Sequence, residues 1–174
     1  MSIHVAAWRD LDPLTLHDIV RLRVDVFVVE QACPYPELDG RDVEPGTEHV
    51  WWADSGELRV DAYLRVLAEP GGGRRIGRVV TRPEARRRGL STLLVRDAVQ
   101  RHGHEEIVLD AQSYLVCYYA TFGFAPTGPE FIEDGVPHVP MRRAAVAPPE
   151  THGQGGVDQG SAATSSPSST RGPV

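Results

Sequence analysis

A basic turn between a predicted strand and a predicted helix is the part of this sequence best suited to binding a ligand. Residues 74–88 contain seven Arg and one Glu, although the whole chain has a formal charge of −6. Arginine at the start of a helix opposes the helix dipole, so an anionic ligand is its natural partner. Gly89 lets a phosphate approach the unpaired N–H groups of the first helical turn, because it has no Cβ. These residues predict a phosphate-binding turn, with a merely solvated basic turn as the alternative.

Two short motifs resemble those of a known enzyme superfamily. Arg86-x-x-Gly89-x-Ser91 is similar to the Gln/Arg-x-x-Gly-x-Gly/Ala signature of the GNAT superfamily of acetyl-CoA-dependent N-acetyltransferases. Ser91 stands where Gly or Ala is usual, and because Ser is small we expect slight crowding and retained binding. The segment Tyr118-Tyr119-x-x-x-Gly123-Phe124 resembles the Phe/Tyr-Tyr-x-x-x-Gly-Phe segment of the same superfamily.

Further segments, spread over residues 5–143, narrow the resemblance to the ElaA-like subfamily. They are residues 22–31, 33–35, 39–42, 77–80 and 133–138. The resemblance implies the α/β class and the GNAT fold, in which a single mixed, mostly antiparallel β-sheet is flanked by helices.

The resemblance also implies where acetyl-CoA would bind. In GNAT enzymes the strand before the signature pairs with the pantetheine arm like an added strand, which assigns that role to Val79, Val80 and Thr81. The signature residues would wrap the pyrophosphate with backbone N–H groups and Arg side chains; they are Arg86, Arg87, Arg88, Gly89, Leu90 and Ser91. Many family members place an Asn against the pantetheine. This chain contains no Asn, and Cys117 occupies the nearest position.

The implied reaction is direct attack of an amine on the thioester, and it poses two proton problems. An alkylammonium of pKa about 10 must lose a proton before it attacks, and the departing thiolate is better released protonated. Tyr119 matches the family's general acid. The candidates for the general base are Glu30, Asp110 and His138, and a chain of water molecules is an equal alternative. Glu30 ends the first predicted helix, where the dipole disfavours an acid, so we expect it to have a cationic partner.

The elements that must position these residues alternate between strands and helices. Predicted strands cover residues 3–8, 49–53, 58–67, 76–82, 107–111, 130–133 and 136–142, and a turn at residues 54–56 joins the second to the third. Predicted helices begin at residues 13, 89 and 113, the first of them after the N-cap residue Asp12. Asp134-Gly135 predicts a hairpin between the last two strands. This order predicts a mixed-sheet α/β domain.

The chain divides into a predicted domain and a predicted tail. Residues 1–146 are long enough for one core, and we expect them to form the acyltransferase domain. Residues 147–174 contain 17 Gly, Pro, Ser or Thr, and Val157 and Val174 are their only large apolar residues. Such a segment cannot bury enough apolar area to offset the entropy lost on ordering, so we expect a disordered Gly/Ser/Pro-rich tail.

Composition excludes several other functions. All 18 basic residues are Arg, so the chain has no Schiff-base lysine and no phosphate-loop lysine. Its acidity argues against nucleic-acid binding, and no apolar run is long enough to span a membrane. With two cysteines, Cys33 and Cys117, and no secretory leader, we expect a cytoplasmic protein without a disulfide framework. We expect no metal, because the His and Glu residues at 102–105 fit the end of a helix.

Acidic residues concentrate after the first predicted helix, where residues 30–57 carry eight acids and one Arg. In the GNAT fold this segment helps to form the acceptor side, so we expect an acidic rim that attracts cationic amines; a solvated loop is the alternative. The predicted partners are acetyl-CoA and a small-molecule or peptide amine. A noncatalytic acyl-CoA-binding or sensor module on the same fold is the alternative function, favoured by the missing Asn and opposed by Tyr119. No pattern determines the oligomeric state, and a homodimer stays open.

Overall fold

The structure, a computed structural model, describes residues 2–54 and 59–146. Most of the predicted turn at 54–56, the acidic residue Glu57 and the predicted tail at 147–174 lie outside the described residues. The strands are β1 (Ser2–Ala6), β2 (Glu48–Ala53), β3 (Val60–Ala68), β4 (Arg74–Thr81), β5 (Ile107–Gln112), β6 (Ala125–Pro126), β7 (Phe131–Glu133) and β8 (Val136–Arg143). The helices are α1 (Pro13–Arg23), which continues as a π-helical segment (Val24–Glu30), α2 (Leu90–His102) and α3 (Val116–Ala120).

The described strands form one mixed sheet in the order β1-β2-β3-β4-β5-β8-β6, with β7 paired to β8. The β4–β5 pair is parallel and the other pairs are antiparallel, which confirms the predicted mixed, mostly antiparallel sheet. The predicted alternation of strands and helices is also confirmed, with β6 as one additional short strand. Among the described residues, no helix has the length and apolar character required to cross a bilayer.

The parallel pair between β4 and β5 is very short. It consists of Arg74 opposite Ile107 and Arg75 opposite Val108. Beyond these two positions β5 pairs with β8 on its other side, whereas β4 continues to Thr81 without a neighbour on the β5 side. The two strands therefore separate, and among the described residues the main-chain groups along this edge of β4 have no strand partner, although the Thr81 carbonyl accepts a hydrogen bond from Nε of Arg86 at 3.3 Å.

Helices cover both faces of the sheet and form two apolar clusters. On one face, α2 and α3 pack against the central strands through residues that include Leu64, Leu94 and Leu109. On the other face, Ile19, Leu22 and Val26 of α1 and the π-helical segment pack on β3 and β4. The adjacent tryptophans of β2 divide between the faces, since Trp52 joins the first cluster and Trp51 the second.

The first helix differs from the sequence prediction in its second half. Asp12 caps it as predicted, accepting hydrogen bonds from the backbone N–H groups of Leu14 and Thr15, both at 3.0 Å. After Arg23 the backbone widens from α-helix to π-helix through a segment rich in β-branched valine, whose stiff side chains crowd a regular α-helix. The π-helical segment places Glu30 near the end of β4, where its carboxylate pairs with Arg86.

Candidate functional site

A cavity of about 1260 Å³ occupies the opening between β4 and β5. Its walls come from β3, β4, β5, the π-helical segment, the loop after it, the start of α2 and the β7–β8 hairpin. The predicted site residues that line it are Glu30, Val79, Val80, Thr81, Arg86, Arg87, Gly89, Leu90, Ser91, Asp110, Tyr119 and His138. Residues chosen from four separate parts of the sequence therefore meet around one cavity; Arg88 and Cys117 are not among its lining residues.

The turn before α2 has the backbone shape of an anion site. Arg87 has a φ of +63° and Gly89 a φ of +74°, so two left-handed residues lie within three positions. Such alternation turns successive N–H groups toward one point, and no side chain of the described residues caps the start of α2. A Cβ built on Gly89 would meet no atom within 4 Å, so the space in front of the turn is open.

The three consecutive arginines of the turn have three different environments. Arg86 pairs with Glu30 at 2.6 Å. Arg88 pairs with the buried carboxylate of Asp61 at 2.9 Å, so its guanidinium is held on β3 and the prediction that it faces the phosphate is not supported. Arg87 is exposed and has no ion pair among residues 2–54 and 59–146. It is the arginine of this turn whose charge is uncompensated there.

Ser91 does more than fill the position of a smaller residue. Its hydroxyl lies 2.5 Å from the hydroxyl of Thr81, and this hydrogen bond ties the first turn of α2 to the end of β4. The crowding expected at this position is therefore accommodated, because the extra atom has a polar partner.

The main-chain groups of β4 change direction along the strand. The N–H of Arg74 donates toward β5, to the carbonyl of Glu106 at 2.8 Å, whereas the N–H of Arg82 donates toward β3, to Asp61 at 2.9 Å. Residues eight positions apart in a regular strand would donate to the same side. One extra residue in β4 reverses the alternation, and it turns the main-chain groups of Val79 and Thr81 toward the cavity.

Tyr119 is a buried cavity residue with a perturbed phenol. Its ring packs edge-on against Tyr118 and Phe124, with centroids 5.0 and 6.1 Å away. Burial raises the pKa of the Tyr119 phenol well above its ordinary value. The hydroxyl is therefore protonated at neutral pH and can act as a hydrogen-bond donor at the cavity wall.

The candidate bases differ in the groups that hydrogen-bond to their side chains. The Glu30 carboxylate has the cationic partner expected for it, since Arg86 binds it and lowers its pKa, and this weakens it as a base. The Asp110 carboxylate lies 2.6 Å from a guanidinium nitrogen of Arg75. In His138, Nδ1 lies 2.9 Å from the Val136 carbonyl. A carbonyl only accepts, so Nδ1 is the donor in this hydrogen bond, and Nε2 is the ring nitrogen that can accept a proton in the neutral tautomer. Of the three candidates, His138 is the one without an ion pair among the described residues.

The expected acidic rim is largely neutralised, so its electrostatic premise is wrong. Six of the eight acidic residues at 30–57 form ion pairs with arginines: Glu30, Glu37, Asp39, Asp42, Glu44 and Glu48. Glu57 lies outside the described residues. Outside residues 30–57, the carboxylates of Glu69 and Asp110 line the cavity and pair with Arg75, whereas those of Glu133 and Asp134 on the β7–β8 hairpin line it without an ion pair in the described part of the chain.

A fully buried arginine joins α1 to the loop that follows the π-helical segment. Arg23 is 0% exposed, and its guanidinium lies 2.5 Å from Glu37 and 2.7 Å from Asp42. These carboxylates keep the guanidinium charged and raise its pKa despite the opposing effect of burial. A buried charge needs such partners, so this triad fixes the loop to α1.

Gln112 is a cavity residue that the sequence interpretation missed. It ends β5, where its side-chain carbonyl accepts a hydrogen bond from the Tyr114 hydroxyl at 2.6 Å. Its amide nitrogen lies 3.4 Å from the side-chain carbonyl of Gln31 across the cavity. Cys117 is exposed, so Gln112 is the residue near the start of α3 that presents an amide to the cavity. The sequence signal that could have identified Gln112 is its amide side chain directly after the predicted strand at residues 107–111.

Two weaker sequence features have structural explanations. His102 is buried at the end of α2 and lies 3.1 Å from the Glu48 carboxylate. Within the described ranges, no three His, Cys, Asp or Glu side chains are grouped to hold a metal ion. The thiol of Cys33 donates a hydrogen bond to the carbonyl of Asp134 at 3.0 Å, which joins the loop to the β7–β8 hairpin.

Comparison with protein families gives one match over most of the chain. A family profile described as "Acetyltransferase (GNAT) domain" matches residues 16–145. A UPF0039 protein from Mycobacterium tuberculosis is 47% identical over 138 residues, which cover 78% of this chain and 88% of that protein.

Solved structures show the same architecture. An acyl-CoA N-acyltransferase from Pseudomonas aeruginosa superposes with a TM-score of 0.77 at 35% identity, over 83% of this chain and 100% of that chain. ElaA from Escherichia coli superposes with a TM-score of 0.74 at 30% identity, over 82% of this chain and 98% of that chain.

Proposed function

Because this chain belongs to the GNAT acetyltransferase family, with ElaA among its relatives, we propose that it transfers an acetyl group from acetyl-CoA to a primary amine. One observation carries the proposal: the phosphate turn, the unpaired edge of β4 and the Tyr119 phenol line a single cavity. A turn that binds phosphate explains the first of these features alone, whereas an extended phosphorylated thioester explains all three.

In this proposal the backbone holds most of the cosubstrate. The N–H groups between Arg87 and Ser91 bind the pyrophosphate, and the Arg87 guanidinium adds the charge that no described carboxylate neutralises. The main-chain groups of Val79 and the N–H of Thr81 pair with the pantetheine arm as a neighbouring strand would, since the Thr81 carbonyl is bound by Arg86. Gln112 supplies an amide on the opposite wall, in the role for which many family members use Asn.

The chemical step needs the removal of two protons from the ammonium. His138 takes a proton through Nε2, and the amine nitrogen then bonds to the thioester carbon as the carbon–sulfur bond breaks. Tyr119 donates its proton to the departing sulfur and regains one from the amine. Of the two protons that the ammonium loses, one ends on coenzyme A and the other in solvent, so the products are the N-acetyl amide and the free thiol.

We propose a cationic small-molecule or peptide amine as the acceptor, on different residues from those that the sequence suggested. Glu133 and Asp134 are exposed on the cavity rim without ion pairs in the described part of the chain. Two such carboxylates raise the local concentration of a cationic substrate, most strongly at low ionic strength. We expect the enzyme to act in the cytoplasm, in keeping with its two free cysteines.

The function is tested by thiol release from acetyl-CoA with a panel of primary amines, together with a variant of the phosphate turn. We expect wild-type release that depends on the amine, and at least a tenfold weaker affinity for acetyl-CoA in Gly89→Glu. The new carboxylate would repel the pyrophosphate and fill the open space in front of the turn.

Gly72→Glu is the matched control. Gly72 also has a positive φ and open space around its Cβ position, but it lies in the turn before β4, away from the cavity lining. Equal affinity in Gly89→Glu and Gly72→Glu would place the phosphate elsewhere. Thermal stabilisation by acetyl-CoA without thiol release for any amine would favour the noncatalytic binding module.

Glu30→Gln should tighten acetyl-CoA binding about two- to fivefold, as measured by calorimetry. The Glu30 carboxylate competes with the pyrophosphate for Arg86, and exposed ion pairs of this kind are worth less than about 1 kcal/mol. Glu106→Gln is the control, because Glu106 pairs with Arg142 at 2.8 Å with both side chains about half exposed, and neither residue lines the cavity. A fall in kcat of about 100-fold in Glu30→Gln would instead identify Glu30 as the general base.

A further inference from the structure

The extra residue of β4 produces a bulge in which one side chain has an unusual backbone conformation. Tyr63 of β3 lies opposite Val80 and Arg65 lies opposite Gly77, so two residues of β4 face the single residue between them on β3. The first of these two is Arg78, which has a φ of +54°. Residues with a Cβ avoid this region, so the surrounding structure must hold Arg78 in it.

The side chain of Arg78 provides that hold. Its guanidinium lies 2.9 Å from the Glu37 carboxylate and 3.3 Å from that of Asp39. It also stacks over the ring of Tyr35, 5.4 Å from the centroid, and the Tyr35 hydroxyl donates a hydrogen bond to Glu37. Three residues of one loop therefore bind the Arg78 side chain, which extends from the bulge.

The two carboxylates that hold Arg78 are themselves immobilised. Glu37 is also bound by Arg23 of α1, and Asp39 is bound by Arg65 of β3 at 2.6 Å. Asp42 accepts from both Arg23 and Arg65, at 2.7 and 2.9 Å. Three arginines and three carboxylates thus form a charge-balanced network that links α1, the loop, β3 and the bulge.

The bulge lies between the two ends of the proposed acetyl-CoA path. On one side are the last rungs between β4 and β5, at Arg74 and Arg75, and on the other is the phosphate turn that starts after Thr81. The alternation of main-chain groups reverses at this point, so the bulge decides which N–H groups face the cavity. A thioester whose pyrophosphate sits on the turn would reach toward this part of β4.

We propose that Arg78 is a positioning residue for acyl transfer. Glu37 and Asp39 bind its guanidinium, which fixes the β4 bulge and so directs main-chain N–H groups of β4 toward the thioester carbonyl. The inference rests on the proposed function for its catalytic meaning. The loop on the acceptor side is thereby coupled to the acyl group.

Arg78→Gly is the informative variant, because glycine adopts a positive φ without strain and lacks the anchoring guanidinium. We expect kcat to fall about 10- to 100-fold, because N–H groups misplaced by about 1 Å lose their electrostatic effect on the carbonyl, with the acetyl-CoA KM changed less than about threefold. Arg74→Gly is the control. Arg74 lies on the same strand, has a similar exposure and pairs with Glu105 at 3.1 Å, but it lies outside the cavity lining.

A second readout requires binding and no turnover. Infrared difference spectra of acetyl-CoA labelled with ¹³C at the thioester carbonyl report how strongly N–H groups polarise that bond. We expect the carbonyl band to shift to lower frequency on binding to the wild type and to Arg74→Gly, and to lose at least half of that shift in Arg78→Gly. If Arg78→Gly does not fold, Arg78→Asn replaces it, since asparagine tolerates a positive φ and is too short to reach Glu37.

The outcomes separate the two proposals. Wild-type kcat and an unchanged carbonyl shift in the Arg78 variant would overturn the positioning role. Absence of any shift on binding to the wild type would overturn it as well. If the wild type transfers no acetyl group to any amine but the shift is present and is lost in the Arg78 variant, the proposed function fails and the positioning role stands.

Discussion

Replacing Tyr119 by Phe should lower kcat about 10²- to 10⁴-fold and leave the affinity for acetyl-CoA nearly unchanged. The change removes one hydroxyl and keeps the ring that packs against Tyr118 and Phe124, so the fold and the cavity walls are retained. Burial raises the pKa of this phenol, so it carries its proton at neutral pH and gives it up only as negative charge develops on the departing sulfur. The expected range is that of a general acid, and steady-state kinetics with saturating amine measure it.

Tyr118→Phe is the matched control for this prediction. Tyr118 precedes Tyr119 on the same short helix and also lines the cavity, but its hydroxyl makes only a long contact of 3.4 Å with Thr92. We expect its loss to change kcat less than about threefold. Equal turnover in Tyr119→Phe and the wild type would reassign Tyr119 to core packing.

Arg23→Met should lower the free energy of unfolding by about 3–5 kcal/mol. The substitution keeps much of the side-chain volume but leaves Glu37 and Asp42 buried without their shared cation, and breaking a buried ion pair from one side has this magnitude. For a domain of this size the melting temperature should fall by about 10 °C or more. Thermal unfolding followed by circular dichroism provides the measurement.

Arg21→Met on the same helix is the comparison for Arg23→Met. Arg21 pairs with Asp25 at 3.6 Å with both side chains more than half exposed, so its loss should cost less than about 0.5 kcal/mol. A melting temperature of Arg23→Met equal to that of Arg21→Met would mean that the buried network contributes nothing to stability.

Patterns among neighbouring residues were sufficient to predict many of the helices, strands and turns. Asp12 before Pro13 located a helix start, and Asp134-Gly135 located the hairpin between β7 and β8, because both depend on neighbouring residues alone. The strand–turn–helix geometry of the basic turn at residues 82–89 could be predicted for the same reason. Its left-handed Gly89, its position between a strand and a helix and its arginines all lie within a few residues of one another.

Partners from distant parts of the chain explain what the sequence did not reveal. Counting charges along residues 30–57 suggested an acidic surface, but Glu37 pairs with Arg23 and Arg78, which lie 14 and 41 positions away. Likewise, Arg88, which the sequence grouped with the basic turn, pairs with Asp61 on β3, 27 positions away. Linear charge density measures a surface only when the charges stay exposed, and tertiary pairing decides that.

The β4 bulge left no comparable trace in the sequence. Arg78 has a residue type that normally avoids a positive φ, and only the network around its guanidinium explains its conformation. A glycine at this position would have suggested a bulge. Here the strain is balanced by side chains from other elements, which a local pattern cannot encode.

Because β4 and β5 pair at only two of the described positions, the sheet consists of two parts, here called panels, that meet along a seam between β4 and β5. One panel is β1–β4 with α2 packed on it, and the other is β5, β6, β7 and β8 with α3. Apolar side chains such as Leu64 and Leu109 join the panels across the seam, and such contacts tolerate sliding better than directional hydrogen bonds do. The seam should therefore be where amide protons exchange earliest in the free protein. A substrate arm that hydrogen-bonds to β4 along the seam would join the two panels more firmly. Substrate binding should therefore slow amide exchange across the sheet.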